Sequence, residues 1–170
     1  MFKKFRLSPN YWTHVKSQLY TLIANNGIPT FYITLNPNEK EWSDLWDFYS
    51  KVHGIVVNKY NINEFIAKDP ALFSLFFRWR VNVFFKNCIL ANNGPLGTVT
   101  DFFLKYEYQQ RGNQHLHGLI WTKEGHNLNP ENHDEVIAYI NKHITCKYVT
   151  EDEELNELIR KKQVDIKKFN

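Results

Sequence analysis

The chain has 170 residues, little cysteine and no long apolar segment. Its two cysteines, Cys88 and Cys146, are too few for a disulfide framework or a zinc ribbon, and they indicate reduced thiols in an intracellular protein. The longest apolar runs, at 71–77 and 81–85, fall well short of the roughly 20 residues that span a membrane. No apolar stretch follows the basic N-terminal residues, so we expect neither a signal peptide nor a membrane partner.

A strong charge of either sign is also absent, because the formal net charge is only +3 at pH 7. This value permits a nucleic-acid partner without demanding one, since a basic groove can coexist with acidic surface elsewhere. The chain is rich instead in hydrophobic and aromatic side chains, at 43% and 16% of its residues. These proportions exclude a mostly disordered chain and are sufficient for one domain with its own core.

Helix and strand signals follow one another in the order α-β-α-α-β-β-α-α. Ser8-Pro9 predicts the start of the first helix, because a hydroxyl cap there precedes a proline in the first turn. Asp69-Pro70 repeats that signal ahead of an apolar stripe that extends to about Leu90. β-branched and aromatic runs predict strands at 30–35, 98–109 and 115–121. The stretch 53–68 is interpreted as loop with one short helix, with 53–60 as a candidate fourth strand in the alternative.

We therefore expect a single α+β domain over 1–170, with an antiparallel sheet flanked by helices. It would consist of an N-terminal helix at 8–26, a core at 29–149 and a C-terminal helix at 150–163. The last helix is predicted by the capping-box pattern Thr150-x-x-Glu153. No internal repeat divides the chain further.

The two predicted strands at 98–109 and 115–121 form a hairpin that concentrates polar side chains. His115 and His117 share one strand face, because residues two apart point the same way. Glu107 and Gln109 share a face of the preceding strand. Two imidazoles and a carboxylate are ligands for divalent metals that act on phosphates, and such a set leaves coordination positions for substrate oxygens.

A plainer interpretation is that these histidines are polar residues on a solvated strand face. A bare His-x-His pair often arises by chance. The context favours a metal site, because an apolar Leu116 lies between the histidines, a small Gly118 follows them, and an acidic residue lies on the partner strand.

The segment His115-Leu116-His117 resembles the histidine-hydrophobe-histidine (HUH) motif of single-strand DNA nickases. More closely, the chain resembles the N-terminal helicase-like domain of Helitron transposon proteins, and the block from Tyr106 to Trp121 is the most specific part of that resemblance. The similar stretches cover nearly the whole chain: 8–36, 69–90, 95–121 and the helix that leads to Tyr148.

The resemblance implies a Rep/HUH endonuclease-like fold with the HUH motif on a central strand. The FYITL run at 31–35 matches the first motif of these nickases, another central strand that helps to hold DNA, with Thr34 as a contact. His115 and His117 match the paired metal ligands. Glu107 matches the third ligand, with Gln109 as the alternative. The implied metal is Mg²⁺ or Mn²⁺, the implied partner is single-stranded DNA, and the implied product is a 5′-phosphotyrosine.

The nucleophilic tyrosine is less well defined, since the family places it on a helix far downstream of the HUH strand, and a position outside this chain is one alternative. Tyr139 and Lys142 have the Y-x-x-K spacing of a helix, although Tyr139 is equally an ordinary amphipathic-helix aromatic. Tyr148 and Tyr60 are weaker candidates. The family's helicase region lies beyond this sequence, so we expect the chain to be a fragment of a larger protein.

Two further residues are candidate nucleic-acid contacts. Arg111 lies in the hairpin turn next to the predicted metal site and is a candidate for a phosphate contact. Trp121 ends the HUH strand and could stack on a base, with core packing as the alternative.

Three functions compete at this point. The first is a metal-dependent single-stranded DNA endonuclease of a Helitron-like element, with an intracellular, nuclear location. The second is a non-cleaving single-stranded nucleic-acid-binding module derived from the same fold. The third is a structural or interaction domain whose histidines are incidental. The sequence does not predict an oligomeric state.

Overall fold

The computed structural model describes residues 8–108, 114–144, 148 and 151–162. The described residues have the predicted α+β class, with three antiparallel strands and seven α-helices. The chain consists of two compact units, residues 1–127 and 128–170. The single domain predicted over 1–170 stays a prediction.

The first unit contains the sheet and five helices. The helices are α1 (Pro9–Asn26), α2 (Ser43–His53), α3 (Ile62–Lys68), α4 (Pro70–Phe84) and α5 (Lys123–His126), and the strands are β1 (Phe31–Leu35), β2 (Val99–Tyr108) and β3 (Gln114–Thr122). The predicted caps are confirmed, because Ser8 and Asp69 accept hydrogen bonds from the first-turn amides of α1 and α4. A π-helical turn, Phe85–Ile89, extends α4 to the predicted end near Leu90.

The candidate fourth strand at 53–60 is not a strand. Gly54 adopts a left-handed conformation, φ 66° and ψ 22°, and ends α2 there. A turn follows in which the amide of Asn58 donates to the side chain of Asn61 at 2.7 Å. These side-chain bonds satisfy the backbone locally, so the segment does not pair with a strand.

The strand order in the sheet is β1-β3-β2, and both pairings are antiparallel. β3, which carries the histidine pair, is therefore the middle strand. β1 pairs only with β3 in the described part of the chain and lies at the edge, whereas the resemblance implied a central strand.

One face of the sheet forms a core against α4 and its π-helical extension. Leu116 and Ile120 of β3 are completely buried there, together with Phe77, Val81 and Phe85. The partly buried residues of the neighbouring strands complete this core: Phe31, Ile33, Leu35, Val99, Leu104 and Tyr106. The sheet is thus closed on the side that faces α4.

A second core joins α2, α3 and α4. Leu45, Tyr49, Ile62 and Phe73 are buried in it. The Tyr49 hydroxyl donates to the backbone carbonyl of Asp69 at 2.8 Å. Burial raises the pKa of Tyr49 to about 12, and the negative charge of Asp69 adds to that rise.

The second unit contains α6 (His133–His143) and α7 (Glu153–Lys162). The side chain of Asn132 caps α6 by accepting from the amide of Glu135. α7 begins at Glu153, and the predicted cap residue Thr150 lies outside the described residues. Asp152 provides its cap, because its carboxylate accepts from the amide of Leu155 at 2.9 Å. No helix in the described ranges is long and apolar enough to cross a membrane.

Candidate functional site

The face of the sheet opposite α4 carries the histidine pair. Side chains alternate along β3, so His115 and His117 point away from the core that buries Leu116. In the ladders, Glu107 of β2 lies directly opposite His115, and Thr34 of β1 lies directly opposite His117. We call these four residues, together with Tyr32 of β1 and Asn36 directly after β1, the histidine face.

Both ring nitrogens of His117 have hydrogen-bonding partners. Nδ1 lies 2.7 Å from the Tyr32 hydroxyl and 3.1 Å from the Thr34 hydroxyl. Nε2 lies 3.0 Å from a carboxylate oxygen of Glu107. The Tyr32 ring also stacks on the imidazole, with centroids 5.7 Å apart and planes 12° apart. Contacts from both neighbouring strands therefore fix the orientation of this ring.

His115 is held from one side only. Its Nδ1 contacts the amide oxygen of Asn36 at the end of β1. That oxygen only accepts hydrogen bonds, so the contact fits a ring that carries a proton on Nδ1. Nε2 is buried and has no hydrogen-bond partner among the described residues. A polar partner on Nδ1 is typical of metal-binding histidines, whereas Nε2 is closed to solvent in this arrangement.

The donor types on this face fit Mg²⁺ or Mn²⁺, which accept carboxylate oxygen and imidazole nitrogen. The predicted convergence is only partial. Within the ranges that the structure describes, no three His, Cys, Asp or Glu side chains form a group that could hold a metal ion. The reason is local, because the Glu107 carboxylate contacts His117 directly and His115 is held towards Asn36.

The remaining predicted residues are distributed over the molecule. Gln109 and Arg111 lie outside the described residues. Trp121 is 2% exposed, and its indole N–H donates to the carbonyl of Gly27 at 2.9 Å. Core packing is therefore its role in this fold, and its ring has no open face for a base. Tyr139 and Lys142 lie on α6 in the second unit. Their proposed roles stay predictions.

Tyr32 and Asn36 are part of the histidine face, yet the sequence argument did not name them. A signal for them existed in the alternation of β1, which puts Tyr32, Thr34 and Asn36 on one face. Using it required the knowledge that β1 pairs with the HUH strand, and strand order cannot be obtained from alternation.

A family model described as the Helitron helicase-like domain at the N-terminus matches residues 1–120 of the chain. Comparison with curated proteins and with solved structures gave no significant match. The family match includes all of β1 and β2, and β3 as far as Ile120. The histidine face therefore lies inside the matched region. The chain belongs to the family of Helitron helicase-like N-terminal domains.

Proposed function

We propose that this chain is a metal-dependent single-stranded DNA nickase domain of a Helitron-like rolling-circle transposon protein. The observation that supports it most is the arrangement of His115 and His117, whose Nδ1 atoms are held by side chains of β1 and of Asn36 directly after it. Metal-binding histidines usually have such a partner on the second ring nitrogen, and this partner sets the tautomer and the ring orientation. Membership of the Helitron family makes single-stranded DNA the expected substrate.

In this proposal His115, His117 and Glu107 hold Mg²⁺ or Mn²⁺, with Gln109 as the alternative third ligand. The bound ion would polarise a scissile phosphate. Asn36 keeps the proton of His115 on Nδ1, so that Nε2 presents its lone pair. The hydroxyls of Tyr32 and Thr34 anchor His117 in the same way when Glu107 no longer accepts from its Nε2.

The proposed chemistry is the transfer of a phosphodiester to a tyrosine. The hydroxyl oxygen of the tyrosine attacks phosphorus, the bond from phosphorus to the 3′ oxygen breaks, and that oxygen takes up a proton. The products are a 5′-phosphotyrosine and a free 3′-hydroxyl. We propose Tyr139 as the nucleophile, with Lys142 as a phosphate contact one helical turn away. Arg111 and Thr34 are proposed contacts to the same strand, and a nuclear location and a downstream helicase region belong to this proposal.

A covalent-adduct assay tests the proposal. The protein is incubated with Mn²⁺ and a random-sequence pool of single-stranded DNA labelled at the 3′ end, and the products are separated under denaturing conditions. The 3′ label stays with the fragment that receives the phosphotyrosine, so cleavage gives a labelled protein band. We expect this band with the unaltered chain. We also expect it with His126→Ala, a matched control at an exposed histidine of α5.

The combined His115→Ala and His117→Ala changes should abolish the band. Tyr139→Phe should abolish it as well, whereas Tyr60→Phe, at a highly exposed tyrosine, should not. An adduct that persists in Tyr139→Phe would show that another residue is the nucleophile, and the nickase proposal would still hold. An adduct that persists without both histidines would refute the metal-dependent nickase.

The second candidate function is a non-cleaving module that binds single-stranded nucleic acid. The direct contact between Glu107 and His117 favours this function, because a carboxylate that already pairs with an imidazole resembles a structural ion pair. This function predicts DNA binding without any adduct, and binding that is unchanged when both histidines become alanine. A chain that binds neither Mn²⁺ nor DNA would leave only the structural or interaction domain.

A further inference from the structure

A groove runs between α1 and β2, next to the histidine face, and we propose that it binds the bases of single-stranded DNA by stacking. This inference rests on the proposed function and assigns it a substrate-binding surface. The groove has a volume of about 390 Å³, which is within the range of ligand sites, roughly 300–1,000 Å³. Its walls consist mainly of aromatic and long side chains: Tyr11, Trp12 and Gln18 from α1, with Phe103, Lys105 and Tyr108 from β2.

The groove begins one strand away from the histidine pair. Lys105 of β2 lies directly opposite His117 of β3 in the ladder, so their Cα atoms are roughly 4.5–5.5 Å apart. The ammonium group of Lys105 lies 5.3 Å from the centre of the Trp12 ring. A nucleotide chain with one phosphate at His117 would therefore pass Lys105 and reach Trp12 with its flanking bases.

The aromatic side chains of α1 are not used to fill a core. None of the 18 residues of α1 is buried, and Trp12 remains 43% exposed while it contacts the groove. Tyr108, on the opposite wall, is 55% exposed. Exposed rings beside a cationic side chain are the elements that stack successive bases in proteins that bind single strands without sequence preference.

The charges of the side chains around the groove favour a polyanion as its ligand. The first acidic residue of the chain is Glu39, so α1 and all residues before it contain no carboxylate side chain. On β2, Asp101 is bonded to Asn26 at one end of α1, and Glu107 contacts His117. Lys16 adds a positive charge to α1. An acidic phosphate backbone therefore meets no carboxylate from the α1 wall.

The test measures the dissociation constant of the full 170-residue chain for fluorescein-labelled oligothymidylate by fluorescence anisotropy. Trp12→Ala should weaken binding about 5–150-fold, the range for loss of one base–aromatic stack. Trp12→Phe, which keeps a ring, should recover most of the affinity. Tyr20→Ala is the matched control, because Tyr20 is an exposed aromatic on the same helix with Lys16 over its ring and lies outside the groove.

Equal dissociation constants for Trp12→Ala and the unaltered chain would contradict DNA binding in the groove. A loss of affinity in Tyr20→Ala as large as that in Trp12→Ala would contradict it as well. Neither result would affect the nickase, which is tested by the adduct. The combined histidine variant should lose the adduct, and Trp12→Ala introduced into that variant should still weaken binding to oligothymidylate relative to the same variant with Trp12, which separates the two proposals. Circular dichroism checks that each variant is folded. If Trp12→Ala unfolds, Tyr108→Ala on the opposite wall should weaken binding in its place, and unchanged binding there would also overturn the groove.

Discussion

The two faces of β3 differ in almost every property although they alternate along one strand. Leu116 and Ile120 point to α4 and are completely buried. His115 and His117 point the other way, are partly exposed and have polar partners. On one face apolar burial stabilises the fold, and on the other hydrogen bonds orient two rings without closing a core.

Stability and proposed activity are therefore separable at neighbouring positions of one strand. Removal of a side chain from the α4 face should destabilise the protein and leave the chemistry of the surviving folded molecules unchanged. Removal of a side chain from the histidine face should impair the proposed chemistry and leave the stability nearly unchanged. Each of the following variants can strengthen or contradict that division.

The largest expected effect is on the buried face. Leu116→Ala should lower the free energy of unfolding by roughly 2–5 kcal/mol, because it removes a fully buried side chain and leaves a cavity. His117→Ala, one position along, should cost less than about 1 kcal/mol, since water can replace the partners of a partly exposed ring. Guanidinium unfolding measures both values. Similar losses for the two variants would show that the faces do not divide the two roles.

Gly118 tests how tightly the buried face is packed. A Cβ atom at this position would lie 2.9 Å from Cγ1 of Ile33 and 3.0 Å from Cδ2 of Leu104. Gly118→Ala should therefore cost roughly 1–3 kcal/mol through overpacking. Ile33→Ala should cost less in the Gly118→Ala background than alone, because the added methyl group fills part of the cavity. Strict additivity in unfolding experiments would argue against this contact.

Tyr32→Phe addresses the histidine face without removing a proposed ligand. The change deletes the hydroxyl that contacts Nδ1 of His117, and loss of such a partner typically lowers metal affinity about 10–100-fold. The stability should stay nearly constant, because Tyr32 is 65% exposed. Isothermal titration with Mn²⁺ measures the affinity, with Tyr60→Phe as the control. An unchanged Mn²⁺ affinity would mean that Tyr32 does not position His117 for a metal.

Glu107→Gln should likewise change stability by little. The carboxylate is 49% exposed, and exposed ion pairs contribute about 0–1 kcal/mol. The variant should unfold at nearly the same guanidinium concentration as the unaltered chain and should bind Mn²⁺ more weakly. A loss well above 1 kcal/mol would identify the pair of Glu107 and His117 as structural and would favour the non-cleaving module.

Local patterns predicted the helices well, because their signals lie within a few residues. The cap-plus-proline pairs Ser8-Pro9 and Asp69-Pro70 marked the starts of α1 and α4 correctly. The segment 53–68 fits its prediction as loop with one short helix, α3, whereas the optional fourth strand at 53–60 is wrong, since a left-handed glycine and side-chain bonds form a turn there. Local patterns also do not predict contacts between distant residues. The position of Trp121 after the histidines gave no indication of its hydrogen bond to Gly27.

The sequence by itself determined that His115 and His117 share a strand face and that the chain resembles the Helitron domain, because alternation and motif are properties of consecutive residues. Only the tertiary structure decided which residues surround them. The β1-β3-β2 order brings Tyr32 within 2.7 Å of His117 across 85 residues of sequence, and it directs Glu107 to that same ring. Strand order depends on long-range packing against α4, and no local pattern encodes it.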